Sequence, residues 1–181
     1  MIELTELLKL LNQNYLNQFD TKIIGGFDEP FYKAHTQQQP AQIQFSHDYI
    51  RSALHELAHW CVAGNQRRKR DDYGYWYAAD GRNQQQQNEF FKVEVKPQTI
   101  EWAFSIVLDI HFESSVDNLG AQVQGIDEFN NKLKKQLSEY TKKGFPKRTH
   151  EILSLLSNQQ GMVDFMIEIK KKLSQSNHTK T

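Results

Sequence analysis

The stretch RSALHELAHWCVAG, Arg51 to Gly64, decides the reading of this chain. It carries two histidines and a glutamate in the order His55-Glu56-x-x-His59. On an α-helix, positions four apart lie one turn apart on the same face. His55 and His59 can therefore present two imidazoles to one divalent ion, and Glu56 sits one position round, within reach of a water on that ion. The other faces are apolar: Ala53, Leu54, Leu57, Ala58 and Cys61 read as core. Two surface histidines would give the same spacing. A polar trio inside a core-forming segment argues instead for a metal, because buried ionisable groups need partners. Cys61 falls on another face and reads as a core cysteine.

Two histidines need at least a third protein ligand. The extension that adds a glycine and a third histidine is missing, since Val62 and Asn65 stand at those places. A glutamate from a following helix is the other common solution. The segment EFFKVEVKPQTIEW offers Glu89, Glu94 and Glu101, and on a helix continuous through Pro97, Glu94, Gln98 and Glu101 share one face. Glu94 is the expected ligand and Glu101 its support, with the reverse assignment as the alternative, and Glu89 reads as a solvated charge. A His-His-Glu set suits Zn²⁺ in a peptidase and equally Fe²⁺ in an oxygenase. The spacing leaves both open.

Outward from the motif, Leu4, Leu7, Leu8, Leu11, Tyr15 and Phe19 recur at helical spacing and predict an opening amphipathic helix. TKIIGG (21–26) and IQF (43–45) read as short strands, and DEPFYKAHTQQQPAQ between them as loop. Ser46 is the expected N-cap of the motif helix and Gly64 its stop. Residues 65–88, polar, aromatic and glycine-punctuated, read as a long functional loop. A helix is expected from Glu89 to about Phe112, kinked or started at Pro97. Helical patterns follow at IDEFNNKLKKQLSEYTKKG, HEILSLL and MVDFMIEIKKKL. The fold class expected is α+β, mostly helical: a single domain over residues 1–181, with a metallopeptidase-like motif helix and a small β element.

Composition narrows the function classes. The 22 basic and 22 acidic side chains of the 181 residues cancel, so no global field favours nucleic acid or an anionic membrane. The basic run Arg67 to Arg70 reads as a solvated helix end, with docking as the sharper alternative. One cysteine excludes an internal disulfide and fits a reducing compartment. The N-terminus lacks the apolar run of a signal peptide. A cytoplasmic protein with no membrane partner and no direct nucleic-acid contact is the expectation.

The segment from Arg51 to Trp102 resembles the elongation factor P hydroxylase family of bacteria. HELAHWCVAG, then RR, then DYGYWYAADGRN, then VEVKPQTIEW carry the resemblance, with GGFDEPFY (25–32) and SVDNL (115–119) similar as well. The resemblance implies an enzyme that hydroxylates a lysine of elongation factor P after that lysine has received a β-lysyl group. His55 and His59 would then be ligands, Glu94 the third, and Glu56 an acid or base. The metal implied is Fe²⁺, with Zn²⁺ or Ni²⁺ able to occupy the site in isolated protein, and O₂ is the co-substrate. No 2-oxoglutarate motif is visible, and neither the electron donor nor the oligomeric state is legible. A long side chain ending in ammonium groups would suit aromatic faces and carboxylates. Asp72, Tyr73, Tyr75, Tyr77, Asp80 and Glu101 are the expected substrate-binding residues, with Trp76 on the opposite side of an extended segment.

Overall fold

The computed structural model describes residues 2–74, 82–117 and 124–175. It divides into two compact units, Met1–Trp76 and Tyr77–Thr181. Among the described residues there are six α-helices and three short strands, so the chain is α+β and mostly helical. No helix among them is long and apolar enough to cross a membrane.

The first unit opens with helix α1, Leu4–Asn14, which buries Leu7 and Leu11. The periodicity predicts one helix through Phe19. The α-helix instead stops at Asn14, and a 3₁₀ turn spans Leu16–Phe19 before Asp20 reverses the chain in the left-handed region. Strand β1, Thr21–Phe27, runs parallel to β3, Ala41–Ser46, and pairs Ile23 with Ile43. Strand β2, Phe31–Lys33, lies antiparallel on the other side of β3. That segment reads as loop because three residues are too few for an alternating pattern. Pairing of Tyr32 with Ile43 makes it a strand. Along β3, Ala41, Ile43 and Phe45 alternate inward, as the two-residue period of a strand requires. The outer edge of β1 is met by α1: the Asn12 side chain donates to the Ile23 carbonyl at 3.0 Å and accepts from its N–H at 2.9 Å. Such pairing satisfies backbone groups that an edge strand leaves open.

Helix α2, Ile50–Val62, carries the opening motif and packs against β3. Its N-cap is Tyr49, not Ser46. Ser46 ends β3, and its N–H donates to the Ser52 hydroxyl at 3.2 Å, tying the strand to the first turn of the helix. Between them His47 and Asp48 both take positive φ. This turn brings Asp48 against Gly25, where a Cβ would also lie 2.6 Å from Cζ of the fully buried Phe45. Gly25→Ala is therefore expected to cost about 1–3 kcal/mol through overpacking. A thermal melt within experimental error of wild type would show that the β1 backbone gives way.

In the second unit, α3 spans Gln84–Leu108. It starts a turn and a half before the expected Glu89, because Asn83 and Gln86 form a reciprocal capping box at 2.9 Å in each direction. The glutamine run that reads as loop is thus the first turn of a helix. Pro97 lies inside α3, which continues past it rather than starting there. From Pro97 to Leu108 nearly every residue is buried, and α4, α5 and α6 all pack on this helix. Helix α4, Ile126–Lys143, ends at Gly144 with φ of 90°. Pro146 then caps α5, Lys147–Gln159, and α6 follows at Phe165–Gln175. A cluster of Phe90, Phe91, Phe129 and Leu133, with Phe91 stacked on Phe129 at 4.5 Å, joins α3 to α4.

Candidate metal centre

Helix α2 is two-faced for a reason visible in its residue order. Ala53, Leu54, Leu57, Ala58, Trp60 and Cys61 are buried, while Arg51, Ser52, His55, Glu56 and His59 form a half-buried stripe. The apolar residues recur at three- and four-residue spacing and turn the helix so that the polar trio shares the remaining face. Fixing that orientation is Trp60, fully buried, with its ring edge-on to Tyr15 and Phe19.

The rings of His55 and His59 meet edge to face with centroids 4.7 Å apart, and their Nε2 atoms lie 3.1 Å from each other. Two nitrogens at that separation, each at the usual zinc–imidazole distance of about 2.05 Å, subtend roughly 100° at a shared ion. That angle lies between octahedral and tetrahedral values, so the pair fits a divalent metal without a change of rotamer.

In the second unit Glu94 is 1% exposed on α3. Its Oε2 accepts from the Gln98 side-chain amide at 3.2 Å. The same amide donates to the Ser115 carbonyl at 2.9 Å, and the Gln98 oxygen accepts from the Ser115 N–H at 2.9 Å. Gln98 is thereby held at three points, and its amide orientation follows from them. Glu101, one helical turn further on, is also buried. His55 and His59 on α2, and Glu94 on α3, can each offer one ligand atom to a metal ion.

Beyond α2 the chain turns through two short 3₁₀ segments, Arg67–Lys69 and Asp71–Gly74. The basic run is spent largely on this turn and on α2. Arg67 donates to the Tyr73 carbonyl at 3.2 Å, and the Arg68 guanidinium lies over Trp60 at 5.2 Å and Phe19 at 5.9 Å. The turn is also strapped to β2 and to Ala34, the residue after it. Asp71 accepts from the Ala34 N–H at 2.8 Å, Asp72 accepts from the Tyr32 backbone, and the Tyr32 hydroxyl donates to the Arg68 carbonyl at 2.9 Å. Burial raises the pKa of the half-buried Asp72 carboxyl, against the opposing pull of that N–H and of His59.

Tyr73 is 5% exposed, and its ring stacks on Tyr32 with centroids 4.2 Å apart and planes 13° from parallel. Burial pushes its hydroxyl well above the usual phenol range, and the carboxylate of Glu56 adds to the shift. Tyr75, Tyr77 and Asp80, together with Trp76, lie outside the described residues. Two contributors were not legible as such. Tyr32 sat in a segment read as loop, and Ser115 carries no side-chain signal because it is its backbone that grips Gln98.

The geometry of α2 alone serves peptidase and oxygenase equally. A family described as elongation factor P hydroxylase matches residues 10–168. The chain belongs to this family. Among its relatives, a protein of Haemophilus influenzae named elongation factor P lysine hydroxylase is 37% identical over 155 residues, covering 85% of this chain and 87% of the relative. The elongation factor P hydroxylase match begins in α1 and ends in α6, so both units belong to it. It extends well beyond the motifs of Arg51–Trp102.

Proposed function

We propose that this chain hydroxylates a lysine of elongation factor P, the one extended by a β-lysyl group, using a divalent metal held by His55, His59 and Glu94. The observation that carries the reading is family membership across both units, with the His55-Glu56-x-x-His59 helix intact inside the matched span. The zinc peptidase reading has no such support, since neither the family nor the relative is a peptidase by name.

The donor set of two neutral imidazoles and one carboxylate is that of a facial triad, and fits Fe²⁺. When bound, such an ion supplies O₂ activation, with electrons from an external reductant. The residues around it supply placement and proton control. His55 and His59 converge because they are one turn apart on a helix whose opposite face is locked into core. Gln98 holds the Glu94 carboxylate in one orientation. Glu56, beside the ligand pair and half-buried, accepts or returns a proton in the site. Asp72 and Glu101 are our assignments for meeting the ammonium groups of the lysyl extension. A reaction on a translation factor belongs in the cytoplasm.

The test is a reaction of β-lysylated elongation factor P with freshly prepared, Fe²⁺-loaded protein in air, with ascorbate supplied as the two-electron reductant that takes the second oxygen atom to water. The factor is expected to gain the mass of one oxygen atom. Unchanged mass in that reaction and in cells expressing the protein, or cleavage of the factor, would reject the proposal. Gln98→Leu keeps the volume but removes both grips on Glu94 and Ser115. It is expected to weaken metal affinity about 10–100-fold, the usual effect of losing an outer hydrogen-bond partner. Metal titration that matches wild type would detach Gln98, and with it Glu94, from the centre.

A further inference from the structure

Three consecutive residues, Asp72, Tyr73 and Gly74, have positive φ of 50°, 55° and 69°. Glycine tolerates this, and aspartate does so at some cost. A bulky tyrosine in that region is strained and persists only where its surroundings force it. Here the forcing is explicit: Asp72 binds the backbone of β2 and Asp71 that of Ala34 just after it, Arg67 holds the Tyr73 carbonyl, and Tyr32 stacks on the Tyr73 ring. All this restraint places a phenol whose hydroxyl is buried with no hydrogen-bond partner among the described residues. Were the ring needed for packing alone, phenylalanine would fill the same space without desolvating a hydroxyl. The carboxylate of Glu56, on the polar stripe of the motif helix, acts electrostatically on that hydroxyl.

We propose that Tyr73 is a further residue of the site, its hydroxyl held in place by the left-handed turn and the Tyr32 stack and kept unpartnered to donate a hydrogen bond to a small ligand bound beside Glu56. The stack covers a face of the ring, so the polar end of this residue carries its role. The inference rests on the metal-centre reading above, and it adds a donor to a site whose other groups are ligands and carboxylates.

The experiment uses the full chain, with Co²⁺ as a visible probe of the centre and azide as the small hydrogen-bond acceptor. For Tyr73→Phe we expect an unchanged or higher melting temperature without metal, unchanged Co²⁺ content, and an azide Kd weakened roughly tenfold. Tyr32→Phe is the contrast: it loses a hydroxyl bonded to the Arg68 carbonyl, so it should melt lower yet bind azide as wild type does at equal Co²⁺. A lower melting temperature for Tyr73→Phe would show that the hydroxyl already has a structural partner and would overturn the proposal. So would an unchanged azide Kd at equal Co²⁺. A wild-type protein that takes up no Co²⁺ would reject the metal centre itself, and Tyr73 with it. That outcome is distinct, because the other two are read with cobalt bound or without metal.

Discussion

His55→Ala or His59→Ala is expected to abolish metal binding at ordinary concentrations while leaving the fold intact. Both side chains lie on the half-buried stripe of α2, so truncation opens no core cavity. Losing an outer partner of a metal ligand already costs about 10–100-fold in affinity, and losing a ligand should exceed that range. Melting temperature gives a second readout. A metal at about a thousand times its Kd stabilises the folded chain by roughly 4 kcal/mol. In a domain of this size that corresponds to a rise of about 8–16 °C. Wild type should show a rise of this order with Fe²⁺ under anaerobic conditions, and either alanine variant almost none. Glu56→Gln separates the roles: it should keep the metal and the metal-dependent rise, and lose turnover. Unchanged metal content in both histidine variants would remove them as ligands.

Trp60→Ala is expected to be the most damaging single change in the first unit. The side chain is fully buried among Tyr15 and Phe19, with the Arg68 guanidinium against its ring. Replacing a buried tryptophan by alanine costs about 3–5 kcal/mol through lost transfer energy and the cavity left behind. Typical total stabilities are only about 5–15 kcal/mol. A fall of roughly 6–20 °C in melting temperature follows for a chain of this size. Metal affinity should fall as well, because Trp60 sits next to His59 and fixes the rotation of α2. A melt lowered by less than about 2 °C would mean that the core closes around the gap and that α2 is held by its sheet contacts instead.

The motif helix was legible because its information is local. The spacing of His55 and His59 and the apolar residues between them determine both the helix and the shared face, whatever the rest of the chain does. The two Nε2 atoms accordingly lie 3.1 Å apart on that face. The C-terminal helices were legible for the same reason, with Gly144 and Pro146 marking the break between α4 and α5. Strand β2 and the start of α3 were not. The first exists through pairing with β3, and the second through a capping box whose glutamines carry no apolar period.

By itself, then, the sequence determined the two-faced helix, the His-His pair, the α-rich class and, through its motifs, the family. The tertiary structure decided which groups lie against Glu94 and against the turn after the motif helix. Gln98 reaches the backbone of a residue 17 positions away, and Tyr32 meets a turn about forty residues further along the chain. Tyr73 is the sharpest case. An extended reading would place its ring alongside Tyr75 and Tyr77, but a left-handed turn buries it on Tyr32, where the Glu56 carboxylate acts electrostatically on its hydroxyl. Residue order encodes helical periodicity within a few positions. It does not encode where a strained turn aims a side chain, because that direction is set by contacts made only after distant segments have come together.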